Sequence, residues 1–190
     1  MYILQAEPRS TGLRSKHLRQ KGLIPGCVYG GDINGSLLLQ IEQSEANKLM
    51  RSKTRGGRVL LNVKGEKFNT LLREIDRNPV TDQIRHLSFQ KLNGDELVSS
   101  TAQIVLVNKE KIPVYIQQVL FEIPYRALAS KLIEKIEIDL EGMQAGDSIK
   151  VKDLDICNND DIEILADSDS LVLSIISNRR TTQQPQSEEV

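Results

Sequence analysis

Apolar and polar residues alternate along most of this sequence, which is the period of half-buried strands. Tyr2, Leu4 and Ala6 share one face of Tyr2–Glu7, and Pro8 closes that segment. Ile24–Tyr29 reads as a second strand and Ser36–Glu42 as a third, with Leu37, Leu39 and Ile41 alternating. Val59–Val63 and Phe68–Ile75 read as a hairpin around Lys64-Gly65-Glu66. Asp76-Arg77-Asn78-Pro79 predicts a turn, since a residue before proline is pushed to extended geometry. Arg85–Leu92 completes this set. Two segments break the period. Leu13–Gln20 holds no β-branched residue, glycine or proline; Ser10 and Thr11 offer caps at its start, Gly22 ends it and Pro25 bars its continuation. Ser44 caps a second predicted helix to about Arg51, with Ala46, Leu49 and Met50 inward. Five or six short strands with two small helices predict a closed or nearly closed β-barrel.

Asn93-Gly94-Asp95 marks a boundary, so residues 1–92 form the first predicted domain. Beyond it Leu97–Val107, Ile112–Phe121, Glu122–Leu128, Ile136–Leu140, Ser148–Val151, Ile162–Leu165 and Leu171–Ile176 read as strands, with a helical turn over Ala129–Glu134. Residues 93–177 are therefore a second β-rich domain, and the polar, proline-containing residues 178–190 a disordered tail. The fold class is mainly β with short helices.

Charge sharpens this division. The net charge of −1 hides 16 Lys and Arg against 8 Asp and Glu up to Leu92, and 9 against 18 beyond it. The stretch Arg9–Gly31 carries Arg9, Arg14, Lys16, His17, Arg19 and Lys21 and no acid before Asp32. A basic run beside a Gly- and Pro-punctuated turn reads as a surface that meets phosphate. The helix within it buries only Leu13 and Leu18, which leaves most of its face to cations. Arg51–Arg58, RSKTRGGR, is a second candidate for polyanion contact, or a mobile connector. The acidic second half is expected to stay off nucleic acid, so that a truncation after Leu92 retains most nucleic-acid affinity.

Catalytic chemistry finds little support. Only His17 and His86 are present, and no metal-protease, nucleophile-elbow or P-loop pattern occurs. Asp153–Asp161 is rich in acids but lacks the spacing and glycine of a calcium loop; a metal-dependent hydrolase built on it is the rival from another class. Cys27 and Cys157 form no CxxC, and their apolar neighbours predict small buried hydrophobes. No catalytic residue, metal, cofactor or small-molecule substrate is expected. Met1 leads straight into alternating residues and no apolar run approaches a membrane span, so a cytoplasmic setting without membrane contact is expected.

Three pieces of sequence together resemble a known family. They are Leu18-Arg19, Gly22, Pro25 and Tyr29-Gly30-Gly31; then Asp76-Arg77-Asn78-Pro79-Val80 with His86 and Phe89; then Gly142, Gly146-Asp147-Ser148-Ile149, Val151 and Asp153-Leu154. Their order and separation are similar to the bacterial large-subunit ribosomal protein number twenty-five family, whose long form is called general stress protein CTC. The resemblance implies a six-stranded N-terminal barrel followed by a second β-rich domain. It implies a structural, non-enzymatic protein of the large (50S) subunit that binds 5S ribosomal RNA at loop E, among the large-subunit proteins of the central protuberance. By position it implies RNA contacts from Arg9, Ser15, Lys16, Arg19, Tyr29, Arg77 and His86. The chain departs from the family pattern at Thr11-Gly12-Leu13, which is shortened and lacks a lysine, at His17 in place of arginine, and at Ser88 in place of aspartate. Two rivals share the barrel: a tRNA-binding accessory domain, and a stress protein acting away from the ribosome.

Overall fold

Leu4, Val28, Leu39, Leu61, Leu72 and Phe89 come from six different strands and are all fully buried. They line the inside of one closed barrel. In the computed structural model, which describes residues 2–9, 12–94, 96–111 and 115–176, the six strands are β1 (Tyr2–Pro8), β2 (Leu23–Tyr29), β3 (Ser36–Glu42), β4 (Arg58–Val63), β5 (Glu66–Arg77) and β6 (Ile84–Lys91). Their order is β1-β3-β2-β6-β5-β4, and a parallel pairing of β1 with β4, from Tyr2 opposite Val59 to Ala6 opposite Val63, closes the ring. Closure removes the exposed sheet edges that invite aggregation. The period-two pattern is the cause of this inside-outside division, since successive strand side chains point to opposite faces.

Two helices flank the barrel. Helix α1 (Ser15–Gln20) follows Arg14 as its N-cap and buries Leu18; Gly22, at φ +75°, supplies the left-handed turn that leads into β2. The capping expected of Ser10 and Thr11 lies outside the described residues. Helix α2 (Gln43–Ser52) buries Ala46 and Leu49. Its N-cap is Glu42 rather than Ser44, and the Ser44 hydroxyl instead donates to the Glu42 carboxylate at 3.3 Å.

The second β-rich domain has two sheets. One is β10 (Lys135–Asp139), β7 (Leu97–Val107), β9 (Glu122–Leu128) and β12 (Ile162–Ile164), in that order; the other is β11 (Ser148–Lys150), β13 (Leu171–Ile176) and β8 (Tyr115–Gln118). Ile123, Tyr125, Leu140, Val172 and Leu173 fill the space between them. The predicted tail, residues 178–190, lies outside the described residues, as do 112–114 of the strand predicted over Ile112–Phe121. Among the described residues that strand pairs over Tyr115–Gln118, after which the Val119 and Leu120 N–H groups both donate to the Val172 carbonyl.

Several local expectations are corrected. Arg77 ends β5 opposite Ile84, so the turn begins at Asn78, whose side-chain oxygen accepts the Val80 N–H at 2.9 Å. The helical turn after Leu128 covers only Ala129–Lys131. It stops because the buried Tyr125 hydroxyl captures Ile133, accepting its N–H at 2.7 Å and donating to its carbonyl at 2.6 Å. Cys157 is exposed, not buried: the short 3-10 turn Asp155–Asn158 buries Ile156 and leaves the thiol outside, donating to the Val151 carbonyl. Cys27 is half-buried.

The basic loop 53–58 is not a mobile connector: Lys53 and Arg58 tie its two ends to the second domain, and Arg55 between them is exposed. The Lys53 ammonium pairs with the Glu134 carboxylate. The Arg58 N–H donates to the other Glu134 oxygen at 3.0 Å, and its guanidinium donates to the Ser130 and Leu132 carbonyls. Arg73 donates to the Ser99 carbonyl. Leu71, a barrel-strand residue, is buried in the core of the second domain. Burial alone would push the Glu134 carboxyl up, but Lys53 and the Arg58 N–H outweigh it and hold it below the usual glutamate range.

Candidate nucleic-acid interface

Leu87 and Phe89 point into the barrel, so alternation turns His86, Ser88 and Gln90 outward from β6. Strands β2 and β5 flank β6, with Cys27 opposite Ser88, Tyr29 opposite Gln90, and Asp76 opposite His86. This outer face carries the predicted site.

Arg9 and Arg19 converge on it. Arg9 follows β1, its N–H held by the Leu38 carbonyl at 2.9 Å. Its guanidinium donates to the Leu13 carbonyl at 2.9 Å and so ties down the segment ahead of α1. Arg19, from α1, reaches over to the Arg85 carbonyl at 3.5 Å, next to His86. The His86 ring is half-buried, and this holds its pKa below the usual histidine value; Glu74 and Asp76 pull it up, while Arg9 and Arg19 push it down. At neutral pH His86 is thus an uncharged ring with a donor and an acceptor. Ser88 stands where the resemblance puts an aspartate, and its hydroxyl lies 3.4 Å from His86 Nδ1. A neutral hydroxyl fixes the ring without raising its charge.

Tyr29 and Arg77 are on the same side of the molecule but not in that cluster. With Arg55, Arg73, Glu74 and Ile75 they line an open cleft of about 720 Å³. Arg77 is drawn to the turn that follows it, donating to Asp82 at 2.9 Å. Ser15 and Lys16 open α1 one turn ahead of Arg19; Lys16 is exposed and Ser15 half-buried. The structure therefore gathers Arg9, Arg19 and His86, sets Tyr29 and Arg77 beside a cleft, and keeps Ser15 and Lys16 on the helix. Arg55 and Arg73, absent from the sequence-derived set, share that cleft. The basic loop containing Arg55 was legible as a polyanion candidate; Arg73 gave no signal inside its strand.

The acidic stretch has structural work. The Asp153 carboxylate accepts the Lys150 N–H at 2.9 Å and Asp161 pairs with Lys131. Among the described residues, no group of three or more His, Cys, Asp and Glu is placed to hold a metal ion. No helix among them is long and apolar enough to cross a membrane.

Residues 4–89 match the ribosomal L25p family and residues 98–179 match the C-terminal domain of ribosomal protein TL5. The chain is similar to relatives named large ribosomal subunit protein bL25. That of Exiguobacterium sibiricum is 31% identical over 177 residues, covering 92% of this chain and 77% of its own length. That of Clostridium perfringens is 29% identical over 180 residues, covering 92% and 88%. That of Caldanaerobacter subterraneus is 27% identical over 194 residues, covering 97% and 94%.

Proposed function

The chain belongs to the ribosomal L25p family, whose members are structural, non-enzymatic proteins of the large ribosomal subunit, and from that premise we propose that it binds 5S ribosomal RNA through the outer face of its barrel. The ribosome of the cytoplasm is its setting. The observation that carries the reading is the convergence of Arg9 and Arg19 on His86. Duplex RNA offers side chains a wide, shallow minor groove with its 2′-hydroxyls, and phosphates on either side. Arg9, Lys16 and Arg19 clasp phosphates, for which the guanidinium fork is suited. The neutral His86 and the Tyr29 ring meet sugar or base edges, and Arg77 borders the same groove. An irregular internal loop such as loop E presents that groove in one fixed shape. Binding holds the RNA conformation; no bond is made or broken.

The second domain, with its excess of acids, faces neighbouring large-subunit proteins of the central protuberance rather than phosphate. Titration of the full chain with 5S ribosomal RNA, with tRNA as competitor, tests this. Tight binding that tRNA does not displace is expected. Arg19→Ala should weaken it and lower the salt slope by about 0.7–0.9 log units per log salt. Equal affinity for tRNA would favour the accessory-barrel reading, and an unchanged Arg19→Ala protein would overturn the assigned face.

A further inference from the structure

Beyond the predicted contacts, we propose that Arg55 and Arg73 make the cleft beside Tyr29 and Arg77 a second binding place for the phosphodiester backbone, and that the acidic second domain is what holds it in shape. The proposal rests on the RNA-binding reading above and adds to it a subsite and a role for the second domain.

The geometry is specific. The open cleft is lined by three arginines, Arg55, Arg73 and Arg77, with Tyr29, Ile75 and one acid, Glu74. Arg73 is the extra residue of a β-bulge: Leu72 pairs with Phe89 and Glu74 with Ser88, leaving Arg73 unpaired between them. A bulge re-aims the side chain it carries. Arg55 Nε donates to the Arg73 carbonyl at 3.2 Å, which orients the guanidinium of an exposed residue and leaves its Nη groups to a ligand. Neither arginine is in an ion pair among the described residues. Each guanidinium is held by one of its own nitrogens, Nε of Arg55 and Nη1 of Arg73, and a planar fork held in this way fits a phosphate with its remaining N–H groups better than a mobile lysine does. Arg73 stands level with Ser88 and Phe89, roughly 10 Å along β6 from the Arg19–His86 cluster. Backbone phosphates of one strand, or of the facing strand across a shallow groove, fit such a spacing.

Both arginines depend on the second domain. The Arg73 guanidinium is anchored on the Ser99 carbonyl. The loop of Arg55 is held at Lys53 by Glu134, and Gly56 lies close against the Thr101 backbone. An acidic domain that repels phosphate in bulk thus fixes two of the cations that attract it.

The test uses the full chain and 5S ribosomal RNA, with Arg55→Ala, Arg55→Lys and Arg19→Ala compared across salt concentrations. Arg55 is exposed, so its variants should unfold as the parent does. Arg55→Ala should bind on the order of five- to tenfold more weakly at 0.15 M salt, with a slope lower by about 0.7–0.9, while Arg55→Lys keeps the slope. Wild-type affinity and slope in Arg55→Ala, with Arg19→Ala weakened, would overturn the cleft and leave the RNA reading standing. No binding of 5S ribosomal RNA by the wild-type chain would overturn both. Loss in Arg55→Ala of binding to an acidic peptide but not to RNA would assign the cleft to a protein partner and overturn it as well.

Discussion

Gly56 faces the Thr101 carbonyl so closely that a Cβ on Gly56 would stand 2.2 Å from that oxygen. Gly56 also has φ +82°, and its N–H donates to the Leu72 carbonyl at 2.9 Å. One residue therefore joins the α2–β4 loop to β5 and to the first strand of the second domain. Gly56→Ala must both adopt a left-handed backbone and push the Thr101 backbone away. A loss of about 2–4 kcal/mol is expected in urea unfolding. Gly142, at φ +85° with open space around it, is the control: Gly142→Ala should lose only about 1 kcal/mol.

Tyr125→Phe isolates the hydroxyl that holds Ile133. The ring stays buried, but the Ile133 N–H and carbonyl both lose their partner. A loss of about 1–3 kcal/mol is expected, together with faster amide hydrogen exchange over residues 132–134. Exchange as slow as in the parent would show that the hydroxyl does not hold the segment.

Glu134→Gln keeps the shape of the contact to Lys53 and removes its charge. The Lys53 side chain is only 16% exposed, so it is left with poor hydration and no counter-charge. A loss of about 1–3 kcal/mol at pH 7 is expected. The sign with pH follows from the lowered carboxyl pKa. The charged pair contributes in full above the unfolded glutamate value of about 4.3, and its contribution is lost as pH falls through the lower folded value. The gap between parent and variant in acid unfolding curves should close over that range.

His86 behaves differently. Its folded pKa is lowered, so the fold favours the neutral ring. Stability is complete above the ordinary histidine value of about 6.5 and declines as pH falls toward the lower folded value. His86→Gln should lack this component, and the difference in melting temperature between the two proteins should change as pH falls below about 6.5. A constant difference would mean that the ring titrates in the fold as it does in the unfolded chain.

The barrel strands were legible because their cause is local: Leu37, Leu39 and Ile41 alternate, and so do Leu87 and Phe89, whatever the rest of the chain does. Three departures mark where local reasoning stops. Arg77 was read as turn because Pro79 follows so soon, but the ladder with Ile84 carries the strand two residues further. Cys157 was read as buried from its neighbours, but a 3-10 turn has a different period from a strand. The sequence leaves the loop around Gly56 between a polyanion contact and a mobile connector, because the partners that tie it down are the backbone carbonyls of Ser130 and Leu132 and one glutamate far along the chain. Carbonyls have no residue-type signature, so only the assembled fold reveals them. The same holds for the site: the cations of the helix announced themselves by number, whereas Arg73 became visible only through the bulge that turns it.

The pairing of β1 with β4 has a consequence for how the molecule is made. Tyr2 finds its neighbour Val59 only after more than fifty further residues have been added. At ~5–20 residues per second of synthesis, the first strand waits roughly three to ten seconds for its parallel mate. During that time an apolar ribbon bearing Leu4 and Ala6 lacks one side of its hydrogen bonding, and nascent chains stalled before Val59 should be the ones that chaperones capture.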